Sequence, residues 1–387
     1  MVLERVRESF FRVGWMLPAL VPTAAALGRA LGNILFFGYL LWALLALRPR
    51  DLGLVPRLVV WLHVLVLAAF LLGVGAASAP GEALHTWFRW LTYSMVLPIT
   101  LAVLAQRPLD DARLVRWLGT AALVALAYFL FKLGVAWWRG LEPAKSVNGM
   151  AMAYLLPFLA VWLRDAVGDA SARWVQAALL SIALAGLLLA DSSTEVLVAC
   201  GGLVVLAIFL SRYGLRLVWV LALLLPLVLL VELLPKLDQA RDLDWLALLD
   251  VWSSRRTTLW IGAFQSPPPD IWIGVGMGNA RLFDPVTAVE VKHFHNFMVD
   301  AWYETGILGL AALLALLAYL LATVLRALRA ASCDVKRRAA PWVAGVAAVL
   351  ITASLDNSYG SLSFCFFMLF ELAVLKVLLK VSDAVHA

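Results

Sequence analysis

Between positions 255 and 304 the chain places an arginine pair, Arg255-Arg256, a histidine pair spaced by one residue, His293-Phe294-His295, and two carboxylates four apart, Asp300 and Glu304. Arginine presents a planar fork of donors that matches phosphate oxygens, and it stays charged at any relevant pH. Histidine is the side chain best placed to exchange a proton near neutral pH. Together these types suit an anionic substrate, with a histidine pair placed where a proton could be exchanged. Each also has a plainer reading. The arginines can snorkel at a membrane interface or pair with Asp250. A histidine can cap the helix that follows, where Asn296 is itself a good N-cap. Asp300 and Glu304 share one helical face, from which they can pair with the loop arginines.

A second feature lies between these groups. Pro267-Pro268-Pro269 precedes Gly274-Val275-Gly276-Met277-Gly278-Asn279. Such a run makes a shaped loop, and Gly276 and Gly278 allow backbone N–H groups to approach an anion. No Gly-Lys-Ser/Thr follows, so it is not a P-loop, and an ordinary turn is the alternative. Metal binding is not expected. His293 and His295 would not share a helical face, and Cys200, Cys333 and Cys365 show no paired spacing for a thiolate site or a disulfide framework. No cofactor is expected either. Further polar groups that can join the same cavity are Arg139, Lys145 and Asn148, the run Asp191-Ser192-Ser193-Thr194-Glu195, Asp356-Asn357-Ser358, and Glu82 with His85.

What positions these groups is a membrane. The chain is 64% hydrophobic and 14% charged, against roughly 45–50% and about 25% for a soluble domain. Its apolar residues lie in long runs without period-two alternation, which argues for helices rather than a barrel. The runs fall at 10–28, 31–48, 57–79, 87–105, 115–138, 149–164, 172–190, 194–211, 214–234, 296–325, 340–355 and 360–381. The expected fold is an all-α integral membrane protein of about twelve spans. It divides into spans one to nine (1–234), a long polar loop (235–295) and spans ten to twelve (296–387). The loop carries Trp245, Trp252, Trp260 and Trp272, and short interfacial helices are expected in it.

The basic residues orient this bundle. Arg5, Arg7, Arg12, Arg48, Arg50, Arg57, Arg107, Arg113, Arg116, Arg164, Arg173, Arg212, Arg216, Arg326, Arg329, Lys336, Arg337 and Arg338 fall on one side of a twelve-span count. The positive-inside rule makes that side cytoplasmic, with both termini there and the long loop outside. The net charge of +6 is thereby explained by topology, and no nucleic-acid partner is needed. A basic outer cavity facing lipid points to an anionic, lipid-borne substrate. Transporter, channel and transferase all remain open on the residues alone.

The order of motifs resembles the O-antigen ligase and O-antigen polymerase superfamily. His295-Asn296, nine residues, Gly306, two residues and Gly309 reproduce the ligase pattern His-[Asn/Ser/Gln]-x9-Gly-x-x-[Gly/Thr/Tyr]. Arg255 with Leu259 fits Arg-x3-Leu, and Arg256 with Trp260 fits the broader superfamily pattern. One departure stands out. Members often carry Ser-Arg at the outer start of a mid-chain span, where this chain reads Asp191-Ser192-Ser193-Thr194-Glu195.

The resemblance implies an inverting, metal-independent glycosyltransferase on the periplasmic face of a bacterial inner membrane, in lipopolysaccharide biosynthesis. It implies a glycan on undecaprenyl diphosphate as donor and lipid A–core as acceptor, with membrane lipids around both. His295, Arg256 and Arg255 are then the expected catalytic groups. Arg139, Lys145, His293, Asn296, Asp300, Glu304, Gly276 and Gly278 are the expected substrate-binding groups. A polymerase that lengthens the glycan on the same lipid carrier is the alternative. A polysaccharide or lipid transporter is the remote one; it predicts internal repeats and midplane charges, and the halves of this chain show no repeat.

Overall fold

The computed structural model describes residues 14–27, 29–47, 53–106, 110–141, 150–166, 170–189, 193–210, 250, 256–284, 289–355, 362 and 364–385. The expected span 214–234, the Trp245 segment and Asp356-Asn357-Ser358 lie outside them, as do Arg255 and Lys145.

Among the described residues the apolar runs fold as helices. In chain order these are α1 (Met16–Leu27), α2 (Arg29–Ala46), α3 (Arg57–Leu72), α4 (Pro80–Ser94), α5 (Val96–Gln106), α6 (Asp111–Trp138), α7 (Met150–Ala166), α8 (Ala170–Leu189) and α9 (Ser193–Phe209). After the long loop come α11 (Phe297–Ala330), α12 (Cys333–Leu355) and α13 (Leu369–Val385), the last led by a π-turn, Phe364–Met368. Among the described residues, five segments are long and apolar enough to cross a membrane: Arg57–Ala76, Pro80–Ala105, Asp111–Trp138, Phe297–Ala330 and Cys333–Leu355. Shorter apolar helices lie at Ala30–Ala46, Ala178–Leu189 and Thr194–Phe209. The protein is therefore an all-α, multi-pass membrane protein.

Lipid-facing and core-facing positions separate along these helices. Leu41, Leu45, Trp61 and Phe131 are exposed, while Phe36, Tyr39, Phe70, Phe158 and Trp342 are fully buried. Small residues let some helices approach closely, as expected when packing rather than a hydrophobic force joins helices in lipid. Gly202 of α9 lies against Ala348 of α12 and Pro157 of α7. Pro157 and Pro341 sit inside helices, which neighbouring helices make tolerable.

Two sets of contacts define the ends of the bundle. At one end Arg338 donates to both oxygens of Asp111, at 2.6 and 2.9 Å. Asp111 opens α6 and Arg338 lies in the second turn of α12, so both helices begin on this face. At the other end of α12, Thr352 Oγ1 donates to Met150 Sδ at the start of α7, and Ser354 accepts from Asn296 at the start of α11. The candidate site belongs to this second end, opposite the basic loop before α12.

The described part of the long loop is α10 (Arg256–Gln265), then a proline-glycine segment, then a two-stranded antiparallel sheet. Strand β1 (Leu282–Asp284) pairs with β2 (Val289–Val291), Phe283 opposite Glu290. Short helices alone were expected here; the hairpin is an addition. The loop has its own small core, with Ala263, Ala280, Phe294, Val299 and Tyr303 packed together under Trp260, Leu282 and Trp302.

Helix α11 is not one rod. Its 34 residues would reach about 50 Å at 1.5 Å per residue, well beyond a hydrocarbon core of about 30 Å. Gly306 breaks it, with φ 65° and ψ −171°, a backbone region that is essentially glycine-only. The part after the break is long enough to span; the part before it carries Asn296 and Asp300 as a separate short helix.

Candidate functional site at the loop end of the bundle

The break in α11 frees backbone groups on both sides, and in an apolar setting such groups must find partners. The proline-glycine segment supplies them. Val275 N–H donates to Tyr303 C=O at 3.1 Å and Gly276 N–H to Glu304 C=O at 2.8 Å. In return Ile307 N–H donates to Ile271 C=O at 2.9 Å and Leu308 N–H to Trp272 C=O at 3.1 Å. The loop is thus stitched into the broken helix.

The glycines of this segment serve close packing. A Cβ on Gly276 would press on Gly73 C=O at 2.9 Å, and one on Gly278 would meet Thr86 Oγ1 at 2.8 Å. Gly276 N–H is taken by Glu304, and Gly274 N–H by Asp270 C=O at 2.8 Å. Asn279 fastens the far end of the segment. Its Oδ1 accepts from Ala79 N–H at 2.9 Å and from Ser78 Oγ at 3.2 Å. Arg281 reaches Glu82 at 3.4 Å, which places Glu82 against the loop.

In α10 the Thr258 N–H donates to Asp250 Oδ1 at 2.7 Å, which satisfies a backbone donor near the arginine end of the helix. The contact that Asp250 makes here is with the Thr258 backbone, a different partner from the arginine side chains considered for it above. The Arg256 side chain extends to Thr194, with Nη1 donating to Oγ1 at 3.0 Å. Thr194 is the second residue of α9, within the Asp191–Glu195 run, which contains no arginine. An arginine side chain does reach this helix start, from the loop rather than from α9 itself. Thr194 and the neighbouring Glu195 are both buried.

His295 stands two residues before α11, next to its N-cap Asn296. Its φ is 55°, and it is the non-glycine residue with positive φ among the described residues. This left-handed conformation is uncommon for residues other than glycine, with asparagine, aspartate and histidine enriched. His295 is half-buried and His293 exposed, their ring centroids 4.9 Å apart at 65°. Asn296 caps α11, its Oδ1 accepting from Met298 N–H at 3.0 Å and Val299 N–H at 3.2 Å. Its Nδ2 donates to Ser354 C=O at 3.0 Å, tying the histidine turn to the end of α12.

Asp300 and Glu304 are both buried, at 1% and 6% exposure. Asp300 Oδ1 accepts from Phe294 N–H at 2.7 Å, so it holds the backbone just before His295. Arg139 closes α6 at the same end of the bundle and is exposed. Thus the structure brings Arg256, His295, Asn296 and Asp300 to one end, with the starts of α7, α9 and α11. Helix starts carry partial positive charge, which adds to the arginine in favouring an anion. Among the described residues no three His, Cys, Asp or Glu side chains are arranged to hold a metal.

The family described as O-antigen ligase matches residues 178–314. The chain carries an O-antigen ligase family domain over that part of its length. The ligase-family domain takes in most of α8, all of α9, the whole long loop and the first half of α11. It therefore contains Thr194, Arg256 and His295 together. No curated protein is similar enough to the chain to register as a match. Thr194 belongs to a polar run that the sequence offered for this cavity, and Trp260 carried a signal in its four-residue spacing from Arg256. Ser354 was not singled out and gains its place only through packing.

Proposed function

We propose that the protein is an O-antigen ligase, an inverting and metal-independent glycosyltransferase. It moves a polysaccharide from undecaprenyl diphosphate to lipid A–core on the periplasmic face of the inner membrane. The observation that carries this reading is the convergence of Arg256, held at the start of α9, and His295, held at the start of α11, inside the ligase-family domain. Their end of the bundle lies opposite the basic loop before α12, as periplasmic placement requires.

In this reading Arg256, with Arg255, neutralises the diphosphate. That charge grows as the bond between the anomeric carbon and the phosphate oxygen breaks, so donors already in place stabilise the transition state. The acceptor hydroxyl attacks the anomeric carbon from the opposite face, giving inversion. Its proton passes to His295, and the bonding electron pair leaves with the diphosphate. Arg139 and His293 stand at this end of the bundle for the approach of an anionic substrate, and Lys145 is a further basic group expected to bind it. Asn296, Asp300, Glu304, Gly276 and Gly278 act by holding the frame around it.

The test is reconstitution. The purified protein is mixed with lipid A–core and an undecaprenyl-diphosphate-linked glycan, with a chelator present and no added metal. Glycan shifted onto lipid A–core, and lost in both His295→Ala and Arg256→Ala, is the expected result. Glycan lengthening on its own carrier would establish a polymerase instead. No transfer to any acceptor in a folded sample would favour transport.

A further inference from the structure

Phe294, the residue that precedes His295, is gripped from three directions. Its N–H side is held by Asp300, which accepts from Phe294 N–H at 2.7 Å. Its carbonyl is held by Trp260, whose Nε1–H donates to Phe294 C=O at 2.8 Å. The Phe294 side chain is fully buried and packs on Tyr303, ring centroids 4.9 Å apart. With Phe294 immobilised and Asn296 fixed as the helix cap, His295 must bridge two set peptides. The left-handed φ of 55° is the conformation that closes this gap. A strained residue of this kind persists only where its surroundings over-determine it.

Trp260 gives the grip a second consequence. It lies four residues after Arg256 on α10, so the two side chains share one helical face, a turn apart. From that face Arg256 reaches Thr194 at the start of α9, and Trp260 reaches the turn that carries His295. Helix α10 is therefore a rigid bridge between the arginine and the histidine. Phe264, one further turn along, stacks on Trp302 of α11 at 5.1 Å and 22°, which stops the bridge from rolling.

We propose that Trp260 and Asp300 are positioning residues that together clamp the Phe294 peptide, and so set where the His295 imidazole stands relative to the Arg256 guanidinium. Neither needs to touch substrate. The inference rests on the transferase reading above for its kinetic consequence, but not for its structural one. It also accounts for the Arg-x3-Trp spacing: the arginine serves the anion and the tryptophan fixes the distance to the base.

The experiment uses the full-length protein in nanodiscs. Trp260→Phe keeps an aromatic ring and removes the donor. Asp300→Ala removes the acceptor, and Asp300→Asn retains an oxygen able to accept from Phe294. Two quantities are read. The first is kcat and donor KM for glycan transfer. The second needs no substrate: the rate at which diethyl pyrocarbonate modifies His295 relative to His293, resolved by mass spectrometry. Misplacing a reacting group by about 1 Å costs about a hundredfold, so Trp260→Phe and Asp300→Ala are expected to lower kcat by about ten- to a hundredfold. Donor KM should stay within about twofold, because the loss is confined to the transition state. Both variants should change the His295 to His293 labelling ratio, and Asp300→Asn should restore both readouts. Unchanged labelling and kcat in folded Trp260→Phe and Asp300→Ala would overturn the clamp, as would equal damage from Asp300→Asn and Asp300→Ala. Should Trp260→Phe not fold, the two Asp300 variants decide. A wild type that transfers nothing would sink the transferase reading, while the labelling ratio would still decide the clamp.

Discussion

Arg256 and Thr194 lie 62 residues apart in sequence, yet the arginine Nη1 donates to the threonine Oγ1 at 3.0 Å. This contact fastens the start of the loop helix to the start of a membrane helix. Hydrogen bonds to charged groups contribute about 1.5–3 kcal/mol. Thr194→Val, which keeps the shape and removes the oxygen, is therefore expected to lower kcat/KM for donor by about tenfold. Arg256→Lys keeps the charge and loses the planar fork, and it is expected to cost about a hundredfold. Glycan transfer measured over a range of donor concentration checks both. A lysine variant with wild-type kcat/KM would show that charge alone suffices.

His295 joins a chemical role to a strained backbone, and substitution can separate them. Neither His295→Ala nor His295→Gly has an imidazole, so both are expected to lose transfer by about 10²- to 10⁴-fold. They differ in backbone cost. At φ 55° alanine is disfavoured relative to glycine by about 1 kcal/mol. The glycine variant should accordingly melt higher than the alanine variant in detergent. The reverse order would mean that the positive φ is not a constraint of the folded protein.

Gly306 is expected to be the least replaceable position of the loop–helix junction. Its φ and ψ admit only glycine, and a Cβ there would run into the Trp272 carbonyl. Gly306→Ala should cost about 3 kcal/mol from strain and overpacking combined. It should also release the Ile271–Gly276 segment. Hydrogen exchange at the amides of Val275, Gly276, Ile307 and Leu308 would report this directly. Unchanged protection there would show that the stitching does not depend on the break.

The Arg338–Asp111 pair lies at the other end of the bundle and should affect stability without affecting chemistry. Asp111 is buried, while the arginine side chain is 54% exposed, so solvent screens the pair in part. Arg338→Gln is expected to destabilise by about 1 kcal/mol rather than the several expected for a fully buried pair. The melting temperature should fall with kcat unchanged. A drop in kcat would show that the two ends communicate.

The membrane class, the helical content and the ligase-family domain over residues 178–314 were legible in the residues. Long apolar runs have one solution in lipid, because every backbone group must be satisfied within its own helix. The Arg-x3-Trp and His-Asn-x9-Gly patterns were legible because their spacings are local and match helical turns. Sequence periodicity read the segment from 296 onward as a continuous span, since Thr305-Gly306-Ile307 interrupts no apolar run. The break at Gly306 is a backbone event, and hydropathy does not register it.

The glycine-rich segment was ambiguous for a related reason. The same glycines suit an anion cradle or a close backbone approach, and only their neighbours distinguish the two. Gly276 N–H is taken by Glu304 C=O, a contact between segments whose composition says nothing about each other. The grip on Phe294 is of the same kind, since it needs α10, the histidine turn and α11 in one place. What this chain determined alone is which residue types lie at which local spacing, and that most of it must be helix in lipid. Tertiary structure decided which helix ends meet. That depends on the packing of distant small residues such as Gly202 and Ala348, and on where freed backbone groups find partners.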